Sequence, residues 1–128
     1  MKMRAKRRLT GTVFLLLSLF LLASCGGGDS TTPPATVQSV ACGTASATVD
    51  ALVSSFSPTG VTISVNQVVQ WNNNSGVNHT VTRTASGTFD VALDNGTSVC
   101  LQFTAAGVYD YYCAIHGPTM DGSVTVIP

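Results

Sequence analysis

An all-β fold, a Greek-key sandwich of two packed sheets in a single domain, is what this chain predicts, and three observations carry it. Apolar residues recur at every second position over short runs. Clusters of Gly, Pro, Asn and Ser separate those runs, and no run in the second two thirds of the chain holds helical spacing.

The N-terminal segment stands apart from that pattern. Lys2, Arg4, Lys6, Arg7 and Arg8 precede an apolar run from Val13 to Ala23, the layout of an export signal. The run falls short of the roughly 18 residues expected of a membrane-spanning helix. Residues 1–24 are therefore expected to be a signal peptide. Its end, Leu22-Ala23-Ser24-Cys25, resembles the bacterial lipobox, which implies that Cys25 is lipidated and becomes the first mature residue. The alternative is ordinary cleavage with Cys25 left as a free thiol. Stable anchoring takes more than one acyl chain, a condition the multiply acylated lipoprotein cysteine meets. Gly26, rather than Asp, follows it, which by the same resemblance points to the outer membrane in a two-membrane cell. Residues 25–36, with Gly26-Gly27-Gly28 and Pro33-Pro34, read as the lipidated cysteine and a flexible tether. The remaining residues, 37–128, about ninety, suit one domain with one core.

Within that domain the strands follow in order. Val61, Ile63 and Val65 share a face, as do Val69 and Trp71. Val99, Leu101 and Phe103 alternate with Cys100 and Gln102, and Tyr109, Tyr111 and Cys113 alternate with Asp110 and Tyr112. Val124 and Val126 close the series. Such rows must be buried against one another, which requires two facing sheets. The stretch from Thr84 to Asp94 is left open between a short helix and a loop.

Charge excludes one large class of function. Once residues 1–24 are removed, Arg83 alone faces Asp29, Asp50, Asp90, Asp94, Asp110 and Asp121, a net charge of −5 with neutral histidines. Nucleic-acid binding needs a basic footprint, and there is none. A mildly acidic surface favours basic partners by steering, or simply keeps a charge-poor domain soluble.

The chemistry gathers in four residues. The mature chain has two histidines and one methionine, and they fall into one pattern with a cysteine: His79, then Cys113, His116 and Met120. One thiolate, two imidazoles and one thioether form the ligand set of a blue-copper centre, in which soft sulfur suits Cu(I) and imidazole also satisfies Cu(II). Zinc accepts Cys and His, but thioether is a poor ligand for it. Cys113, His116 and Met120 lie within one eight-residue segment, while His79 comes from a distant run.

The order Phe56-Ser57-Pro58, Ile63-x-Val65, Val69-x-Trp71-x-Asn73, Asn78-His79-Thr80-Val81, Gly107-Val108-Tyr109-x-Tyr111-Tyr112-Cys113 and Gly122-x-Val124 resembles the cupredoxins, nearest to their small bacterial plastocyanin-like and amicyanin-like members. The resemblance runs from about Ala47 to the C-terminus. It implies one type-1 copper ion, a deep first histidine and a second histidine at an exposed apolar rim where electrons enter. The rim candidates are His116, Ile115, Gly117 and Pro118, with Gly76 and Val77 across the gap and Tyr112 as a second electron route. Pro118 stiffens this segment by fixing φ. Thr80 and Asn78, flanking His79, are expected to support the ligands, Thr80 by hydrogen-bonding toward the Cys113 sulfur or the ligand loop. The spacing Cys-x2-His-x3-Met is one residue shorter than the plastocyanin pattern and one longer than that of amicyanin.

Cys42 and Cys100 remain. In an oxidising compartment they are expected to form a disulfide that pins the N-terminal stretch to the outer face of a sheet, with Cys100 pointing away from Val99, Leu101 and Phe103; the alternative is two unrelated thiols. The sequences Asn-x-Ser/Thr at Asn73, Asn78 and Asn95 carry no expectation of modification in a bacterial lipoprotein.

The function expected is envelope electron transfer by a lipid-anchored monomer at the periplasmic or extracytoplasmic face. Its partners are transient redox proteins such as cytochromes or copper enzymes. Catalysis is not expected, because a catalytic copper needs histidines beyond His79 and His116. The competing reading is copper storage, delivery or tolerance, for which Met- or His-rich open sites are the usual device.

Overall fold

The computed structural model describes residues 36–85 and 88–128. The signal segment, Cys25 and the tether lie outside the described residues. Ten strands form two five-stranded sheets. The first sheet contains β1 (Val37–Val40), β8 (Ser98–Phe103), β5 (Val68–Asn73), β2 (Ala47–Ala51) and β3 (Phe56–Ser57), in that order. The second contains β4 (Gly60–Ser64), β10 (Gly117–Ile127), β9 (Gly107–Cys113), β6 (His79–Arg83) and β7 (Asp90–Leu93). No helix occurs among the described residues, so the expected sandwich stands.

The alternating rows face inward as the sequence requires. Trp71, Leu101 and Phe103 of the first sheet meet Val81, Tyr109, Tyr111 and Val124 of the second, all within one buried cluster. Each fully buried large apolar side chain contributes roughly 1.5–3 kcal/mol by leaving water. The aromatic contacts add geometry: Trp71 and Tyr111 meet edge to face at 5.4 Å, and Phe103 and Tyr109 at 5.0 Å. Tyr109 also donates its hydroxyl to the Ala105 carbonyl at 2.8 Å, fastening the turn that leads into β9.

Tyr111 is fully buried under β10. A Cβ at Gly122 would lie 2.5 Å from the Tyr111 hydroxyl and 2.8 Å from the Thr59 carbonyl, so no larger residue fits without a shift. Burial pushes the Tyr111 phenol up to about 12, and Asp121 acts in the same sense. The Trp71 indole N–H opposes that rise without reaching hydrogen-bonding geometry.

The structure differs from or extends the sequence reading at four points. β1, β2 and β3 add strands before Val61, where none was expected. The stretch from Thr84 to Asp94 ends in a strand, β7, because Val91 and Leu93 pair with Val81 and His79 of β6. The ligand segment is more regular than a loop: β10 starts at Gly117, which pairs with Cys113, and the register resumes at Asp121 opposite Tyr112. Residues 118–120 thus bulge out of the ladder, and Gly117 takes a φ of 85° at the tight reversal.

The fourth concerns Cys100. It lies outside the core cluster, on the other face from Leu101 and Phe103, as expected, yet it is only 3% exposed. The cause is β1, which runs antiparallel to β8 with Val40 opposite Cys100, and the disulfide from Cys42 to Cys100, with Cα atoms 5.3 Å apart. Because Val37 pairs with Phe103 while the other end of β8 lies beside Asn72, the chain joins the domain at the end of the first sheet away from Asn73.

The bridge spans 58 residues of sequence, and loop-closure entropy assigns it about 4 kcal/mol. The double variant Cys42→Ala/Cys100→Ala is expected to melt on the order of 20 °C lower in calorimetry. An unchanged melting temperature would mean that the bridge constrains nothing.

Candidate metal centre

β6 and β9 lie side by side, with Thr82 opposite Tyr112 and Arg83 opposite Tyr111. Their pairing ends there. Toward the next residues the ladder is replaced by side-chain links: the Thr80 N–H donates to the Cys113 sulfur at 3.4 Å, and the Ala114 N–H donates to the Thr80 hydroxyl at 2.7 Å. Thr80 thus makes a contact to the Cys113 sulfur and another to the segment that follows it. The parted strands leave room between His79, which opens β6, and Cys113, which closes β9.

Into that room the structure brings His79, Cys113 and His116, whose candidate ligand atoms all lie within 4.8 Å of one another. The Cys113 sulfur is 3.6 Å from Nδ1 of His79 and 3.3 Å from Nδ1 of His116. The two imidazole rings are 4.7 Å apart between centroids. His79 and Cys113 are buried and His116 is exposed, the deep-and-rim division expected of the two histidines. Met120 is buried at the end of the bulge, in the same cluster as Cys113. Burial lowers the pKa of His79 below its ordinary value, and His116 beside it acts in the same direction. The ring thus favours its neutral, ligating form.

The donor chemistry fits copper. A buried thiol flanked by two imidazole nitrogens, with a buried thioether nearby in sequence, combines soft and borderline donors in a small enclosed set. Hard cations such as Ca²⁺ and Mg²⁺ call for oxygen donors, and the cluster offers none.

The rim residues are placed as follows. Ile115 is 57% and Val77 39% exposed. Pro118 and Gly76 are exposed, and Gly117 and Tyr112 are half-buried. Tyr112 lies between Thr82 and Asp121 on neighbouring strands. Asn78 does not reach the ligands; its side chain accepts the Asn95 N–H at 2.9 Å and ties the β5–β6 loop to the β7–β8 turn.

Two residues without an assigned role in the sequence reading matter here. Asn73 is fully buried; its side-chain amide donates to the Val77 and Leu93 carbonyls, both at 2.8 Å. Its oxygen accepts from the Ser75 N–H at 3.1 Å and contacts the Ser75 hydroxyl at 2.8 Å. That hydroxyl lies 2.9 Å from Nε2 of His79. A signal was present in the sequence: Asn73 continues the inward row of Val69 and Trp71, and a polar residue in such a row must find partners.

Comparison with known proteins gives a consistent picture. The family described as copper binding proteins, plastocyanin/azurin family, matches residues 43–127. A plastocyanin of Scenedesmus fuscus is 35% identical over 83 residues, covering 56% of this chain and 85% of that protein. Among solved structures, a reduced amicyanin mutant superposes with a TM-score of 0.64 at 23% identity, over 72% of this chain and 99% of the other. A Cu(I) form of another amicyanin mutant gives 0.57 at 29% identity, over 63% of this chain and 82% of the other.

Thr80→Val removes the acceptor for Ala114 while keeping the shape of the side chain. It is expected to lower stability by about 1 kcal/mol, read from urea unfolding of the metal-free chain. An unaltered unfolding midpoint would show that the link contributes nothing.

Proposed function

The chain belongs to the plastocyanin/azurin family of copper-binding proteins, and from that premise we propose that it carries single electrons at the cell envelope with His79, Cys113, His116 and Met120 as its metal ligands. The observation that carries this reading is the convergence of two imidazoles on one buried thiol, with their candidate ligand atoms within 4.8 Å. Copper held there supplies a one-electron Cu(II)/Cu(I) couple. The family transfers electrons and is not enzymatic.

The residues around the ligands have separate tasks in this reading. Thr80 holds the sulfur of Cys113 through its N–H and holds the ligand segment through its hydroxyl. A sulfur that accepts a hydrogen bond is a weaker donor, so this contact tunes the potential. His116 brings the site to the surface. Ile115, Gly117 and Pro118 adjoin it in sequence and, with Val77 and Gly76, carry no charge, a composition suited to brief apolar contact with cytochromes or copper enzymes. Tyr112 offers a second route on the outer face of the second sheet. The protein acts as a monomer.

Residues 1–24 direct export, Cys25 carries the lipid, residues 25–36 tether, and residues 37–128 form the copper domain. What supports the anchor is the Leu22-Ala23-Ser24-Cys25 sequence after a basic and then apolar segment. The location that follows is the extracytoplasmic face, on the outer membrane where the cell has one.

Copper-loaded protein is expected to be intensely blue when oxidised and to bleach reversibly with reductant. Cys113→Ser is expected to abolish the colour. Tight Cu(I) binding, rapid loss to a chelator and no stable Cu(II) form would instead identify a copper store. Separately, Cys25→Ser is expected to move the protein from the membrane fraction to the soluble one, while a variant still sedimenting with membranes would rule out the lipid anchor.

A further inference from the structure

A hydrogen-bond chain runs from Asn73 through Ser75 to the ring edge of His79 that faces away from Cys113. We infer that Ser75, backed by Asn73, is a positioning residue that fixes which nitrogen of His79 carries the proton, and so sets the site's preference between Cu(II) and Cu(I). The inference rests on His79 being a metal ligand, as proposed above.

The argument begins with Asn73, whose orientation is determined by its partners. Its amide nitrogen faces two carbonyl oxygens, those of Val77 and Leu93, and its oxygen faces the Ser75 N–H. The Asn73 oxygen can therefore only accept. It lies 2.8 Å from the Ser75 hydroxyl, and the Val77 carbonyl, another pure acceptor, lies 3.2 Å from the same hydroxyl. A serine has one hydrogen to give. Donated to His79, it would leave the Ser75 oxygen against two oxygens with no proton between them. The hydrogen therefore goes to Asn73 or Val77, and toward Nε2 of His79, 2.9 Å away, Ser75 can only accept.

Nε2 must then carry the proton. In a neutral imidazole this leaves Nδ1 with the free lone pair. Nδ1 is the nitrogen that faces the Cys113 sulfur, at 3.6 Å. The fold thus presents His79 already in its ligating tautomer, through two side chains that touch no other proposed ligand. A hydrogen bond accepted from Nε2–H also makes the imidazole a stronger donor. Stronger donation favours the more highly charged Cu(II).

The test uses the full chain and the variants Ser75→Ala and Ser75→Thr. Before copper is added, ¹⁵N–¹H correlation of the histidine rings at alkaline pH is expected to show the wild-type His79 with its proton on Nε2. Ser75→Ala is expected to populate the other tautomer, to bind Cu(II) about tenfold more weakly with less effect on Cu(I), and to raise the reduction potential by about 59 mV for each tenfold change in that ratio. Ser75→Thr, which keeps a hydroxyl, is expected to restore both readings. A Ser75→Ala variant with wild-type tautomer and potential would overturn the inference, as would a Ser75→Thr variant that behaves like Ser75→Ala. Loss of stability alone would move neither reading. The ring measurement needs no copper, so a wild type with the expected tautomer but no blue colour would sink the electron-carrier reading and leave only the tautomer assignment to Ser75 standing.

Discussion

The site depends on where β6 and β9 stop being a ladder. Their backbone pairing ends at Thr82 and Tyr112. Continued for two more residues, it would close the space between Thr80 and Ala114. Instead, the N–H of Thr80 turns to a sulfur and the N–H of Ala114 turns to a hydroxyl. Both backbone donors remain satisfied, although the ladder has ended. The gap this opens is where two imidazoles and a thiol meet. The same exchange joins the strand bearing one proposed ligand to the segment bearing the other three.

A pocket that exchanges electrons with little rearrangement must be held by parts that do not yield, and the surroundings supply them. Beneath the site, Trp71, Phe56 and Tyr111 pack edge to face, with Phe56 also near His79. Above Tyr111, only a glycine fits at position 122. On the loop side, Asn73 uses both of its amide hydrogens on carbonyls. Close packing of this kind resists small displacements, so the core holds the proposed ligands in place.

Much of this was legible in the amino acids, and the limits have physical causes. His79, Cys113, His116 and Met120 stood out because His and Met are so scarce after residue 24. The strands around Trp71, Leu101, Tyr111 and Val124 stood out because one face of each is apolar. β1 and β2, Val-Gln-Ser-Val and Ala-Thr-Val-Asp-Ala, are short and mixed, and their pairing depends on neighbours distant in sequence. Asn73 and Ser75 read as turn residues, since both types favour turns. The period-two row of Val69 and Trp71 extends to Asn73, but only the fold shows that Ser75 links it to His79. Asn78 was expected beside the ligands because it adjoins His79, but its side chain reaches the neighbouring turn instead.

The position at which the polypeptide enters the sandwich has a mechanical consequence. β1 lies along the margin of the first sheet, Val37 sits across from Phe103, and Cys42 is joined covalently to Cys100. Any pull on the segment before Thr36 is therefore delivered to β8, in shear along four paired residues and then through a sulfur–sulfur bond. β6, β9 and β10, which bear the cluster, belong to the opposite sheet. A load applied at Thr36 therefore meets β1, β8 and the disulfide before it reaches the sheet that bears the cluster.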